Sequence, residues 1–380
     1  MTSLCSASSI KDRKERAVNM PEKTKRVPEI ELMKAIAIIG MIYVHVLEGS
    51  LEVFENAWEL PGSIPYTLVE FLGGIPAAGV FMFAMGWGVS HSDRSTPETY
   101  LKRALKLGLL LFPVNFFYAI LPGLIDPADF GSFLDHPWAI IAFNIYSFYA
   151  VSMLFFALIK KMKDNLKLRA VLSAVLILMV FAADMIFKPE TFEGNQWIAT
   201  LIGVFVRQND YSWFPIVPWA VFPVMGYWAG WLYRRWNNRT KFAVTSLVIG
   251  LILVPVTVII LKVKELPMAS ANPGWVEAID YYSLTALNVI CAIGIICLEM
   301  AAVFGILTLS KGRIPSLFAD MSRNVMGMFL MQWFFISPML PFLLKVTDVW
   351  INVLIGTAVL IVTYIVVKLL NKVNKNIWRC

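Results

Sequence analysis

RVPEIELMKAIAIIGMIYVHVLEG, Arg26 to Gly49, is where a basic tail gives way to an apolar run long enough to enter a membrane. Three residues interrupt that run at a cost: Glu31, Lys34 and His45. Ionisable side chains inside a span are expensive, so they are functional candidates by default. Lys34 and His45 are separated by close to three helical turns, so Glu31, Lys34, Ile38, Met41, His45 and Glu48 form one stripe. Along it Lys34 and His45 lie about 16 Å apart. The stretch reads as a first spanning helix with a cation toward one membrane face and a titratable base toward the other.

The rest of the chain agrees with a membrane reading. Of 380 residues 58% are hydrophobic and 16% charged. Apolar runs of about 18 residues or more recur, the signature of spanning helices. The alternation of an outer-membrane barrel is absent. The fold class is therefore all-α, a polytopic membrane helix bundle. Ten spans are expected, at roughly 30–48, 67–90, 101–124, 138–159, 168–187, 213–233, 242–262, 284–308, 318–338 and 349–370. With the N-terminus placed in the cytoplasm, 28 of the 33 Lys and Arg residues fall on the inner side. Lys and Arg collect on cytoplasmic loops, so this bias predicts an N-in, C-in protein of the cell membrane. The organisation is a basic cytoplasmic tail over 1–28, a membrane domain over 29–370 and a short cytoplasmic tail over 371–380. The first apolar run has no small-residue cleavage site behind it and reads as a retained span.

Several classes are disfavoured at once. The net charge of +7 is accounted for by inner loops and does not argue for nucleic acid. Cys5, Cys291, Cys297 and Cys380 form no CxxC pair and read as inert thiols. Three histidines do not make a His-rich metal centre, so no metal is expected.

The candidate chemistry falls into constellations. His45 is the candidate general base or acyl carrier, roles that need a neutral imidazole. Glu48, one turn further on, is placed to orient it. Glu31 and Lys34 are spaced as an i, i+3 ion pair, and Lys34 is also a candidate phosphate contact. After FMFAMGWGVSHSD, whose Gly86 and Gly88 permit close helix approach, the third helix displays Arg103 and Lys106 one turn apart. With Lys34 they would form a cationic pocket suited to a polyphosphate. FPIVPWAVFPVMGYWAGWLYRR carries Pro215, Pro218 and Pro223, which break or kink a helix near its outer end. FADMSRNVMGMFLMQWFF places Ser322, Arg323 and Asn324 at an inner end and Gln332 deeper. Glu70, Asn115, Asn144, Asp184, Asn288, Glu299 and Gln332 are more polar groups than span packing requires.

In order, these motifs resemble the acyltransferase-3 clan of integral membrane acyltransferases, and in particular its heparan-α-glucosaminide N-acetyltransferase-like bacterial branch. IELMKAIAIIGMIYVH is similar to the clan's opening helix, with an acidic residue, an arginine three on and a histidine after ten more residues. FMFAMGWGVSHS with YLKRALKL is similar to its small-residue helix and following basic element. FPIVPWAVFPVMGYWAGWLY and SRNVMGMFLMQ are similar to a mid-chain and a late helix. The chain departs at Lys34 and Lys106, where arginine is usual, and at Gln332, where many members have histidine. The resemblance implies transfer of an acyl group, usually acetyl, from cytoplasmic acyl-CoA to a hydroxyl or amine of a sugar or envelope glycan, with acyl-CoA as donor substrate and no bound cofactor. It implies His45 and Glu48 at the chemistry. Glu31, Lys34, Arg103, Lys106, Glu70, Ser322, Arg323, Asn324 and Gln332 would lie toward the substrates. A transporter or flippase is the other class that ten spans and buried polar groups suit. It would move substrate without consuming a thioester, and it often carries internal repeats, which this chain lacks.

Overall fold

The computed structural model describes residues 27–48, 74–93, 95–126, 140–162, 164–186, 203–206, 212–265, 284–343, 345–346 and 348–373. Among these residues the fold is helical, with one isolated bridge between Phe143 and Ser212 and no strand. The principal helices are α1 (Pro28–Glu48), α2 (Ile75–Ser90), α3 (Pro97–Leu109), α4 (Ile145–Lys161), α5 (Leu166–Ile186), α6 (Val221–Trp236), α7 (Arg239–Val263), α8 (Ala286–Leu309), α9 (Ser316–Arg323), α10 (Val325–Ile336) and α11 (Val349–Val373).

Each expected span has a helix at its place, but they are not alike. Among the described residues seven stretches are long and apolar enough to cross a membrane: those of α1, α5, α7, α8 and α11, Pro97–Ile125 through α3, and Val325–Leu343 through α10. The remaining three, α2, α4 and α6, have 16, 17 and 16 residues. At about 1.5 Å per residue these are shorter than the roughly 30 Å hydrocarbon core. Local breaks account for part of this. Ala220 separates α6 from the short turn Ile216–Trp219 inside the proline-rich stretch. Asn324 separates α9 from α10, so the expected 318–338 span is two helices. Beyond α3 the third span passes through a π-helical turn at Phe116–Ile120.

The bundle is arranged around α1, which packs against α2, α8, α9, α10 and α11. Of its spanning stretch 67% is buried, against 11% for α5 and 22% each for α7 and α11. Those outer helices carry their apolar residues outward: Val171, Val175 and Leu178 on α5, Val248, Ile252 and Ile259 on α7. An apolar face turned outward suits a lipid solvent, where the helix with the most polar groups belongs in the middle.

Two helix pairs hold this arrangement closely. At Gly86 of α2 a Cβ would lie 1.8 Å from the Pro223 carbonyl oxygen, and at Gly226 of α6 it would lie 1.9 Å from the Phe83 carbonyl oxygen. The backbones of α2 and α6 therefore touch in a way only glycine allows at both sites. Gly88, expected to serve the same purpose, faces open space. On the other side, Glu29 accepts from Arg239 Nε at 2.9 Å and Nη2 at 2.6 Å, tying the start of α1 to the start of α7. Replacing Gly226 with valine is expected to force α2 and α6 apart, at a cost of at least about 1–3 kcal/mol. Thermal unfolding of detergent-solubilised protein checks this, with Gly88→Val as the near-neutral control.

Candidate functional site

Glu31 lies on the buried face of α1, one turn before Lys34, as the i, i+3 spacing requires. Lys34 Nζ donates to Glu31 Oε1 at 2.9 Å. The other carboxylate oxygen, Oε2, accepts from Ser322 Oγ at 2.9 Å. The lysine and glutamate side chains are 20% and 13% exposed, so the pair is largely removed from water. Ser322 itself is buried on α9. Three of the candidate residues, Glu31, Lys34 and Ser322, are thus joined across almost the whole sequence.

Lys34 also lines a cavity of about 300 Å³. Its walls come from five helices: Lys34 of α1, Phe81 and Met85 of α2, Leu107 of α3, Tyr146, Tyr149 and Met153 of α4, and Met326 and Phe329 of α10. Tyr146 closes one side by donating from its hydroxyl to the Met326 carbonyl at 3.1 Å. A cavity of this size, mostly apolar with one cation, has the composition of a small-molecule site. The contribution of α4 was not anticipated. Its signal is Tyr146, Tyr149 and Met153, which recur at helical spacing in a segment with few charges.

Arg103 and Lys106 stand on α3 close to the cavity residue Leu107. The Arg103 guanidinium lies 5.4 Å over the Tyr100 ring, and both cations are half-buried. They share a helix with the cavity residue Leu107 but do not line the cavity, whereas Lys34 does.

His45 is near the far end of α1. Its ring centroid is 4.4 Å from Trp333 and 6.3 Å from Phe329. Phe329 is also a cavity residue, so the cavity and the histidine share one aromatic neighbour. The His45 Nδ1 is buried without a hydrogen-bond partner. Beside it stands Gln332, fully enclosed on α10.

Other candidates lie elsewhere. Arg323 pairs with Asp320 at 2.8 Å, and Asn324 donates to the Asp320 carbonyl at 2.8 Å and accepts from Asn371 at 2.8 Å. These contacts fasten the α9–α10 break to α11. Asp320 also accepts from Tyr364 at 2.9 Å. Burial alone would raise its carboxyl, but hydrogen bonds from Arg323 and Tyr364 outweigh that and hold it below its ordinary 3.8. The Glu48 side chain, Glu70 and the Asp184 side chain lie outside what the structure describes.

The polar groups inside spans divide into two kinds. Asn115 donates to the carbonyls of Ile140 and Ala142, and Asn144 donates to Asn115 Oδ1 while capping Tyr146 and Ser147. Asn288 is tied to Thr285 at the start of α8. These are structural, since they satisfy backbone where helices break or begin. Gln332 and Glu299, by contrast, keep buried atoms without partners. Among the described residues no three His, Cys, Asp or Glu side chains are grouped to hold a metal.

Residues 27–371 match the family model of the acyltransferase-3 acyltransferase domain. No curated protein matches the chain.

Two outcomes follow from the ionic geometry. Removing one member of an enclosed pair leaves the other charge uncompensated, whereas replacing both is far less costly. Glu31→Leu is therefore expected to lower the unfolding temperature sharply, and adding Lys34→Met to recover most of the loss; a double-mutant cycle by thermal unfolding reads this. Asp320 has a folded value below its unfolded one, so its contribution is intact above pH 3.8 and is lost as the pH falls below that toward the folded value. Asp320→Asn should cost about 1–2 kcal/mol near neutrality, and the difference from wild type should close in acid.

Proposed function

Because the chain belongs to the acyltransferase-3 family, a family of membrane acyltransferases, we propose that it transfers an acyl group from cytoplasmic acyl-CoA to a hydroxyl or amine of a sugar or envelope glycan. The acyl group is acetyl in this reading, the membrane is the plasma membrane, and the branch is the heparan-α-glucosaminide N-acetyltransferase-like one. The observation that carries the donor assignment is the cavity between Lys34 and Phe329, cationic at one point and apolar along its walls, whose residue Phe329 has its ring centroid 6.3 Å from that of His45. A thioester donor has matching parts: phosphates, a long neutral arm and an acyl terminus.

The orientation comes from the loop charges, which put Lys34 inside and His45 toward the outside. CoA phosphates arrive at the inner mouth, met by Lys34 and, in this reading, by Arg103 and Lys106 on α3, the helix that contributes Leu107 to the wall. An ammonium carries three donors, and Glu31 takes one of them. The remaining two serve an anion. Ser322 holds the far oxygen of Glu31 and so keeps the pair in register with the cavity. The arm then runs along α1 past Phe329. At the end His45 takes the proton of the acceptor hydroxyl or amine as general base, which needs its imidazole neutral.

Purified protein supplied with labelled acetyl-CoA and an envelope glycan extract is the direct test. Labelled glycan is expected from wild type, and His45→Ala is expected to lower turnover about 10²–10⁴-fold. Full activity of that variant would remove His45 from the reaction. Arg103→Ala is expected to raise KM for acyl-CoA roughly tenfold or more, as loss of a charge-assisted contact does; an unchanged KM would count against the phosphate site.

A further inference from the structure

Among the described residues Gln332 alone has both polar side-chain atoms, Nε2 and Oε1, buried and without a hydrogen-bond partner. It is 0% exposed. Its carboxamide lies beside the His45 ring, whose Nδ1, among the described residues, also has no hydrogen-bond partner. Leaving such groups unpaired in a dry interior costs about 1–3 kcal/mol each. A chain that needed only packing here would carry leucine or methionine, as the neighbours Leu330 and Met331 do. The polar atoms are therefore matched to a partner that arrives with the substrate.

We infer that Gln332 is a further catalytic residue: its Nε2–H binds the carbonyl oxygen of the acyl donor and holds the oxyanion that forms there. The inference rests on the acyl-CoA reading above. Three observations select a carbonyl. The carboxamide is neutral, which suits a neutral oxygen that becomes negative only during reaction. It is wholly buried, and the His45 ring beside it packs on Trp333 at 4.4 Å, itself 4.6 Å from Tyr118, so a donor there acts in a low dielectric where it is worth more. And it stands beside the base, so carbonyl and acceptor meet at one place.

The step balances without any further reagent. The acceptor gives its proton to His45, and its lone pair forms the new bond to the acyl carbon. The carbonyl electron pair moves onto oxygen, where the Gln332 amide holds it. Collapse restores the carbonyl and breaks the carbon–sulfur bond. The thiolate leaves with the proton from His45.

The test is Gln332→Met, assayed for transfer and for thermal stability on full-length protein in detergent. Replacing an unpaired buried amide by an apolar side chain of similar shape is neutral or stabilising. The variant is therefore expected to unfold at or above the wild-type temperature while turnover falls about 10²–10³-fold, the usual loss for one oxyanion donor, with both KM values unchanged. Turnover at the wild-type level overturns the inference. So does a joint fall of turnover and unfolding temperature, which would make Gln332 structural, or a change confined to the acceptor KM, which would make it an acceptor contact. Wild type that transfers no acyl group from acyl-CoA would overturn the donor reading and this inference together; an active wild type with an unimpaired variant sinks the inference alone.

Discussion

One carboxylate, Glu31, sets the terms for the bundle. It lies inside a spanning helix, where an uncompensated charge is costly, and it is compensated twice, by Lys34 on its own helix and by Ser322 on α9. A helix bearing such a group cannot face lipid. Placing α1 at the centre, in contact with five other helices, is the solution the chain adopts. The outer positions then go to the helices that can afford them, such as α7, whose exposed face is aliphatic. The break at Asn324 belongs to the same solution. An unbroken 318–338 helix would have a single axis, whereas α9 and α10 separately deliver Ser322 to Glu31 and Phe329 with Gln332 to the region of His45.

The family assignment and the polar chemistry bear on each other through enclosure. Acyl transfer at a membrane needs a base that is neutral and a reactive carbon shielded from bulk water. His45 sits against Trp333 and Phe329, and Trp333 in turn against Tyr118. The stripe that looked costly as sequence thus has two environments. Its Glu31 end is ionic and internally neutralised. Its His45 end is aromatic and leaves polar atoms unpaired. The first stabilises the fold, and the second, in the proposed function, is stability withheld for a ligand, the usual relation between strain at sites and support elsewhere.

Much of the membrane architecture was legible because its cause is local. Apolar length, loop charge and the Glu31–Lys34 spacing are short-range facts, and the helices stand where hydropathy puts them. The partner of Glu31 was not legible: Ser322 was a candidate by motif, but nothing local joins residues so distant in sequence. Nor did sequence separate satisfied polar groups from unsatisfied ones. Asn115 and Gln332 look alike as amides inside apolar runs. Only the carbonyls of Ile140 and Ala142, freed where the chain is irregular, show that Asn115 is satisfied. Arg323 and Asn324 were candidates by motif, and sequence did not show that Asp320, Asn371 and the helix break engage them. Helix α4 entered the cavity because α3 and α4 pack closely, a pairing that the 3.6-residue period cannot name.

The departure at Lys34 has a physical reading in the same carboxylate. An arginine fork takes both oxygens of a carboxylate at once. Here the oxygens are divided: Oε1 accepts from Lys34 and Oε2 from Ser322. A guanidinium in place of the ammonium would compete with Ser322 for Oε2 and loosen the link between α1 and α9. The lysine, a point charge on a flexible stem, needs only one oxygen and keeps donors for the cavity it lines. Lysine at 34 and serine at 322 are therefore one compatible choice, in which the serine fixes the carboxylate and the lysine remains able to meet an anion.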